Sequence, residues 1–247
     1  MQNIPDPLTS FEQYFAHLKR SQTPAVLWYS GLDERIELSG KVLENWVSKT
    51  ANFLVEECDV EAEQTVSILM QTHWRSIIIA LAALRVGAHL RFTADDSDVI
   101  FSASNEQLEQ LDAEYRVIVD KGPLSPRYMG TLPAEVLDYC AEVRSYGDVY
   151  SAFEIPSLHS ESLEGITAEE ILHRISAQAE QVNSEEAQAH AVALHTPPAL
   201  NAEYLMSTLA VLYRHQATLV LDPAHNWDKT QVQQILDAEL AVRVAKD

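Results

Sequence analysis

The chain has 247 residues, 47% of them hydrophobic and 22% charged, which is enough apolar material for one large core or two smaller ones and excludes global disorder. Its 17 Lys and Arg face 37 Asp and Glu, and the resulting formal charge of -20 excludes nucleic acid and anionic membrane surfaces as expected partners. Only 7 glycines leave little material for a glycine-rich phosphate loop.

Residues 1–6 show no basic segment leading into an apolar one, so no signal peptide is expected and the cytoplasm is the expected compartment. Phe11, Tyr14, Phe15 and Leu18 recur at helical spacing after Ser10, with Gln13 placed for a capping box. Short apolar runs at 25–29 and 35–38 predict a hairpin, and Val42, Leu43, Trp46, Val47, Phe53 and Leu54 predict a helix over 41–57. A strand over 65–70, a helix over 74–86 and a strand over 88–92 follow. The apolar run from Ile77 to Leu84 lies between Arg75 and Arg85 and is far shorter than the roughly 20 residues that span a bilayer, so it predicts a core helix. Strands over 98–102 and 116–119 flank a helix capped by Ser104, continuing the alternation of a mostly parallel, two-faced sheet.

Residues 122–160 interrupt this pattern with Pro123, Pro126, Pro133, Pro156, Gly130 and Gly147, and predict a connection with one short helix over 134–144. Alternation then resumes with a helix opened by Thr167 and Glu170, a strand over 189–195, a helix over 202–214, a strand over 217–221 and a last helix over 228–240. The two halves share an element order: Leu81-Ala82-Ala83-Leu84 leads through Gly87-Ala88 to Leu90 and Phe92. Likewise Leu209-Ala210-Val211-Leu212 leads through Gln216-Ala217 to Leu219 and Leu221. The expectation is α/β, with two Rossmann-like αβ subdomains whose mostly parallel sheets are flanked by helices, divided as 1–121, a connecting segment 122–165, and 166–247.

Several segments carry a resemblance. Pro24-Ala25-Val26 with Ile36-Glu37-Leu38-Ser39, the pair Ala51-Asn52 within a long helix, and the run from Leu84 through Gly87 to Phe92 resemble the N-terminal domain of the adenylate-forming enzymes. These are the acyl-CoA synthetases, luciferases and peptide-synthetase adenylation domains. Pro198 and its spacing to Gln216-Ala217 are similar to a Pro-x-x-His segment and the Gly-Ala that follows it in that family. The resemblance implies the fold but not the chemistry. The family wraps the triphosphate of ATP in a Thr-Ser-Gly-Thr-Thr-Gly-x-Pro-Lys loop. The corresponding stretch here, after a strand expected at 148–153, reads Glu154-Ile155-Pro156-Ser157-Leu158-His159-Ser160-Glu161, with no Gly, no Lys and two carboxylates. A like-charge pair at about 4 Å costs on the order of 4 kcal/mol at an effective dielectric near 20, so even one such carboxylate opposes a phosphate. Asn201 stands where the family's His would be, and no catalytic Lys can be carried over before Asp247.

No Gly-x-Ser-x-Gly, His-Glu-x-x-His, Gly-x-Gly-x-x-Gly or P-loop pattern is present, and Cys58 and Cys140 sit in no metal-binding spacing and are expected as reduced, packed thiols. No catalytic residue, metal or cofactor is therefore expected. His195, Thr196 and Asn201 flank the carboxyl end of an expected parallel strand and are the candidate ligand-binding residues; hydrogen-bonded end caps are their plainer role. Asp222 with His225, just after the last strand, has the same two alternative roles, whereas His190 and His195, five residues apart on a strand, are expected to face opposite sides and cannot form a paired metal site. The expected function is that of a non-catalytic, adenylate-forming-like protein, a pseudoenzyme acting by binding or assembly through a protein partner or a second copy. A split acyl- or aryl-adenylating subunit completed by a partner, and a small-molecule sensor with an unknown ligand, are the alternatives.

Overall fold

The computed structural model describes residues 8–152 and 155–244. Helix α1 (Phe11–Arg20) starts at Ser10, whose hydroxyl accepts from Gln13 N, while the Gln13 side chain reaches back to Thr9 N rather than Ser10 N. The hairpin β1 (Pro24–Gly31) and β2 (Glu34–Ser39) leads into α2 (Gly40–Glu56), then β3 (Thr65–Leu69), α3 (Trp74–Val86), β4 (His89–Arg91), β5 (Val99–Ser102), α4 (Asn105–Glu109) and β6 (Tyr115–Ile118). Where one helix was expected over 134–144, the chain forms β7 (Val136–Asp138) and then α5 (Tyr139–Glu142). Asp138 ends the strand and caps the helix by accepting from Cys140 N and Ala141 N. Residues 148–152 are irregular rather than a strand, and Phe153 and Glu154 lie outside the described residues.

A second hairpin, β8 (Glu161–Leu163) and β9 (Ile166–Thr167), precedes α6 (Ala168–Glu180), β10 (Ala191–Ala193), α7 (Ala202–Tyr213), β11 (Ala217–Leu221), α8 (Lys229–Ala238) and β12 (Ala241–Arg243). Its turn is Glu164 and Gly165, with φ of 44° and 83°, the two-residue left-handed geometry that matches strand twist. Asp228 and Gln231 form a full capping box at the start of α8.

Two mostly parallel sheets result, ordered β12-β10-β11-β1-β2 and β7-β6-β5-β3-β4-β8-β9. Within them the chain repeats: hairpin, helix, strand, helix, strand, strand. The first repeat runs β1, β2, α2, β3, α3, β4, β5 and the second β8, β9, α6, β10, α7, β11, β12, with α8 added before β12. In both sheets the inner order is third strand, first, second, then a hairpin, and in both the hairpin comes from the other repeat. β1 pairs with β11 through Val26 to Tyr29, and β8 pairs with β4 at Leu163 and Leu90.

The chain accordingly gathers into two compact units, residues 1–44, 72–74 and 169–247, and residues 45–71 and 75–168. Strand membership therefore departs from the division into 1–121, 122–165 and 166–247, because backbone hydrogen bonds to β11 and β4 draw each hairpin into the sheet distant from it in sequence. In the first unit, Leu27, Tyr29, Ala193 and Leu219 bury one sheet face against Ile235 and Leu236 of α8. In the second, α3 is apolar all round and Ile77 through Ala83 are fully buried. Its polar ends are built into the fold: Arg75 Nη1 donates to the carbonyls of Asp120 (3.0 Å) and Gly122 (2.5 Å), and Arg85 Nη1 to Ser48 Oγ (2.9 Å).

The repeats end their middle helices with the same Schellman turn. Ala88 N donates to Ala83 O (3.0 Å) around Gly87 at φ 82°, and Gln216 N donates to Val211 O (3.3 Å) around His215 at φ 57°. His215, not Gln216, is thus the partner of Gly87. Its ring stacks on His17 at 3.9 Å between centroids, and His17 Nε2 is 2.9 Å from Tyr213 O.

Gly87 is required twice over, by its φ and by Pro156, whose Cβ would lie 2.5 Å from an added Cβ. Gly87→Ala should cost about 1–3 kcal/mol in urea unfolding; an unchanged midpoint would refute the packing. Burial holds the His17 and His215 pKa values below 6.5, aided by Arg20 at His17 and by His17 at His215. The unfolded chain then binds the extra protons, so this contribution is complete above pH 6.5 and is lost as pH falls toward the folded values. Tm measured between about pH 5 and 8 should fall less steeply on the acid side in His17→Gln than in the parent.

Candidate functional site

Open α/β sheets bind ligands past the carboxyl ends of their strands, where successive connections leave in opposite directions. In the sheet containing β10, that point lies between β10 and β12, since α7 leads from β10 to β11 and α8 returns the chain to β12 on the far side of β10. Segment 194–201 leaves the carboxyl end of β10 there, and 222–227 leaves that of the neighbouring β11.

The three candidates from the sequence are all here, with different roles. Thr196 Oγ1 accepts from Leu221 N (3.4 Å), tying the exit of β10 to the end of β11. Asn201 caps α7 by accepting from Tyr204 N (2.9 Å). His195 is exposed and makes no side-chain hydrogen bond among the described residues. His190 lies at the opposite end of β10, where its N–H donates to Leu240 O (3.2 Å), so the two histidines are separated by strand ends rather than by strand faces. Asp222 and His225 form a turn closed on itself: Asp222 Oδ1 accepts from Ala224 N (2.8 Å), and its carbonyl accepts from His225 N (3.1 Å) and Trp227 Nε1 (2.9 Å).

Behind this rim lie residues the sequence did not single out. Residues 72–74 belong to this unit, and Thr72 Oγ1 donates to Pro197 O (2.7 Å) while the buried His73 ring meets Trp28 edge-on at 4.7 Å. The Tyr204 hydroxyl sits among those of Thr196, Thr208 and Thr218 without an ordinary hydrogen bond to any; burial pushes its pKa up to about 12, and those hydroxyls lower it. Hydroxyls on an apolar helix give no sequence signal, because Thr208 and Tyr204 fit the buried stripe of α7 as well as Leu would.

The arrangement offers neutral hydrogen-bonding groups. Tyr204 stays protonated at neutral pH, and among the described residues no carboxylate orients His195 as a base. No group of three or more His, Cys, Asp or Glu among the described residues could hold a metal ion. Cys58 and Cys140 are buried and unpaired, and burial raises both thiols.

The stretch expected at the triphosphate position is occupied by structural contacts. Pro156 packs on Gly87, Ser160 Oγ donates to Glu63, and Glu161 accepts from Gly165 N (2.8 Å) and pairs with Arg91 (2.7 Å). The neighbouring hairpin turn places Glu164, whose carboxylate accepts from Phe92 N (2.8 Å), at the end of β4.

This mixed α/β architecture, with two mostly parallel sheets flanked by helices, is the fold of acyl-CoA synthetase N-terminal domains. An acyl-CoA synthetase from Brucella canis superposes with a TM-score of 0.73 at 12% identity over 96% of this chain and 46% of that one. A coronafacic acid ligase from Pectobacterium brasiliense gives 0.70 at 14% identity over 93% and 47%. Unliganded o-succinylbenzoate coenzyme A synthetase from Bacillus subtilis gives 0.65 at 9% identity over 95% and 47%. In sequence, a Mycobacterium tuberculosis protein bearing a numbered family designation is 31% identical over 133 residues, 51% of this chain and 54% of that protein. The chain thus spans about half the length of the proteins it matches. No family model matches it. No helix among the described residues is long and apolar enough to cross a membrane.

If Asn201 acts as a cap, Asn201→Ala should lose about 1 kcal/mol while Asn201→Asp retains stability. Thermal unfolding of the two variants checks this, and equal losses would assign Asn201 another role.

Proposed function

We propose that the chain is a non-catalytic, adenylate-forming-like protein that works by binding or assembly and does not adenylate on its own. The observation that carries this reading is the occupancy of 155–161: Ser160 and Glu161 are spent on Glu63, Arg91 and Gly165, and no Lys or Gly is available there to meet a phosphate. Gripping a triphosphate takes converging N–H groups and a cation; this stretch presents a carboxylate and a proline. Its partner is a protein or a second copy, and the exposed Leu124, Met129, Val149 and Ile155, each at least 65% accessible, supply apolar surface for it. The free buried thiols Cys58 and Cys140 suit a reducing compartment such as the cytoplasm. His195, Thr196 and Asn201 remain its ligand-facing rim, with His195 the member able to reach a small molecule.

The alternative, which the fold shared with acyl-CoA synthetases allows, is an adenylating subunit whose partner brings the phosphate loop and the catalytic Lys. Isothermal titration with ATP and magnesium separates the two. The chain alone should give no saturable heat up to about 1 mM ATP, a weaker interaction than roughly −4 kcal/mol; micromolar binding would overturn the non-catalytic reading.

A further inference from the structure

At the amino ends of β10, β11 and β1, opposite the rim just described, the first unit carries a cleft of about 700 Å³. We propose that this cleft binds a small organic monoanion, a carboxylate on an apolar body, with Arg214 as its anchor.

The charge pattern carries the proposal. Acids outnumber bases by 20 in this chain, yet the half-buried Arg214 forms no ion pair within salt-bridge distance among the described residues. Its Nε donates to Gln216 Oε1 (2.6 Å), and the Gln216 amide is itself fixed on the carbonyls of Glu186 and Ala189. One edge of the guanidinium is thereby held in place, and its Nη nitrogens make no hydrogen bond among the described residues. A planar fork positioned in this way matches a carboxylate in bidentate geometry. Burial disfavours the Arg214 charge, and Glu186 offsets this at longer range; an arginine keeps its proton regardless, so an incoming anion recovers part of that cost.

The other charged group in the cleft does not compete for the fork. Glu239 is engaged by Arg35 (2.7 Å) and by the Tyr29 hydroxyl. Pro24, Leu27 and the exposed Leu240 line the remaining wall and suit an apolar body. The volume falls in the range of about 300–1,000 Å³ typical of small-molecule sites. A dianion fits less well than a monoanion, because α7 and α8 both end here and direct their partial negative charges at the cleft.

His215, also in the lining, adds an independent mark. Its φ of 57° stands where the equivalent turn of the first repeat uses Gly87, so a ring is carried at the edge of the cleft where glycine would meet the same backbone need.

The test uses the whole chain and three probes: 2-naphthoate, its neutral analogue 2-naphthylmethanol, and inorganic phosphate. Binding is read by calorimetry and by the Ala217 amide shift. Saturable 2-naphthoate binding is expected, with the alcohol and phosphate each about tenfold weaker or more, a difference of about 1.4 kcal/mol. Arg214→Gln should weaken 2-naphthoate by a similar factor. His215→Gly relieves the backbone and should fold, with a smaller loss. Arg214→Lys keeps the charge without the fork, should weaken binding several-fold, and carries the test if Arg214→Gln does not fold. No saturable binding of 2-naphthoate, unchanged affinity in the folded Arg214 variants, or phosphate binding more tightly would each overturn the proposal. Micromolar ATP binding would overturn the proposed function and leave this site standing.

Discussion

A strand inside a parallel sheet needs hydrogen-bond partners on both sides, and that requirement organises this chain. β4 and β11 are the second strands of the two repeats, and neither repeat fills its outer edge from its own continuing strands. β8 fills the first and β1 the second. Each sheet is therefore completed by a hairpin that its own repeat does not supply. The second unit draws all its strands from residues 65–167, but the first cannot form from one continuous block of sequence, because the burial of Leu27 and Tyr29 against α8 depends on a pairing between residues some 190 positions apart. Such long-range pairing is costly in loop closure and slow to nucleate. The buried α3, with Arg75 and Arg85 each hydrogen-bonded at its ends, gives the second unit a local centre on which β3, β4 and β5 can assemble.

The local periodicities were legible because they record burial directly. The apolar spacing in α1, α2 and α7 and the all-apolar run of α3 report which faces meet a core, and the helices lie where those patterns put them. β7, β8, β9 and β12 escaped notice because strands of two or three residues are too short to show a period of two. The exchange of hairpins was invisible for another reason. Pairing partners are chosen by backbone hydrogen bonds, which leave no mark on side-chain pattern. The repeat could be read from Leu81 to Leu84 and Leu209 to Leu212, yet its alignment slipped by one residue. Gly87 advertises a left-handed turn, whereas His215 conceals one.

At the carboxyl ends of β10 and β11, candidate residues were found by position, and their roles follow from geometry. Thr196 and Asn201 hold together the exit of β10, the end of β11 and the start of α7. These two side chains are spent on the framework, which leaves His195 as the exposed polar member of the rim. The same economy holds at 155–161, where Ser160 and Glu161 secure β8 and β4 rather than facing an open loop. The Glu164-Gly165 turn is equally tight, with two left-handed residues between the paired strands.

The duplicated turn supplies an internal control for how strain is distributed. Both repeats need a left-handed residue between the middle helix and the next strand, and both close the same pair of backbone hydrogen bonds around it. The first meets the need with Gly87, which also makes room for Pro156. The second uses a histidine, accepts a conformation that L-residues with a Cβ disfavour, and stacks the ring on His17. Geometry alone does not require a side chain there, because Gly87 solves the same geometric problem without one. What distinguishes the second turn is its surroundings: Arg214 immediately before it and a cleft in front of it. The difference between the two repeats therefore lies in what surrounds each turn: Pro156 closes on Gly87, whereas the His215 ring is accommodated between His17 and the cleft.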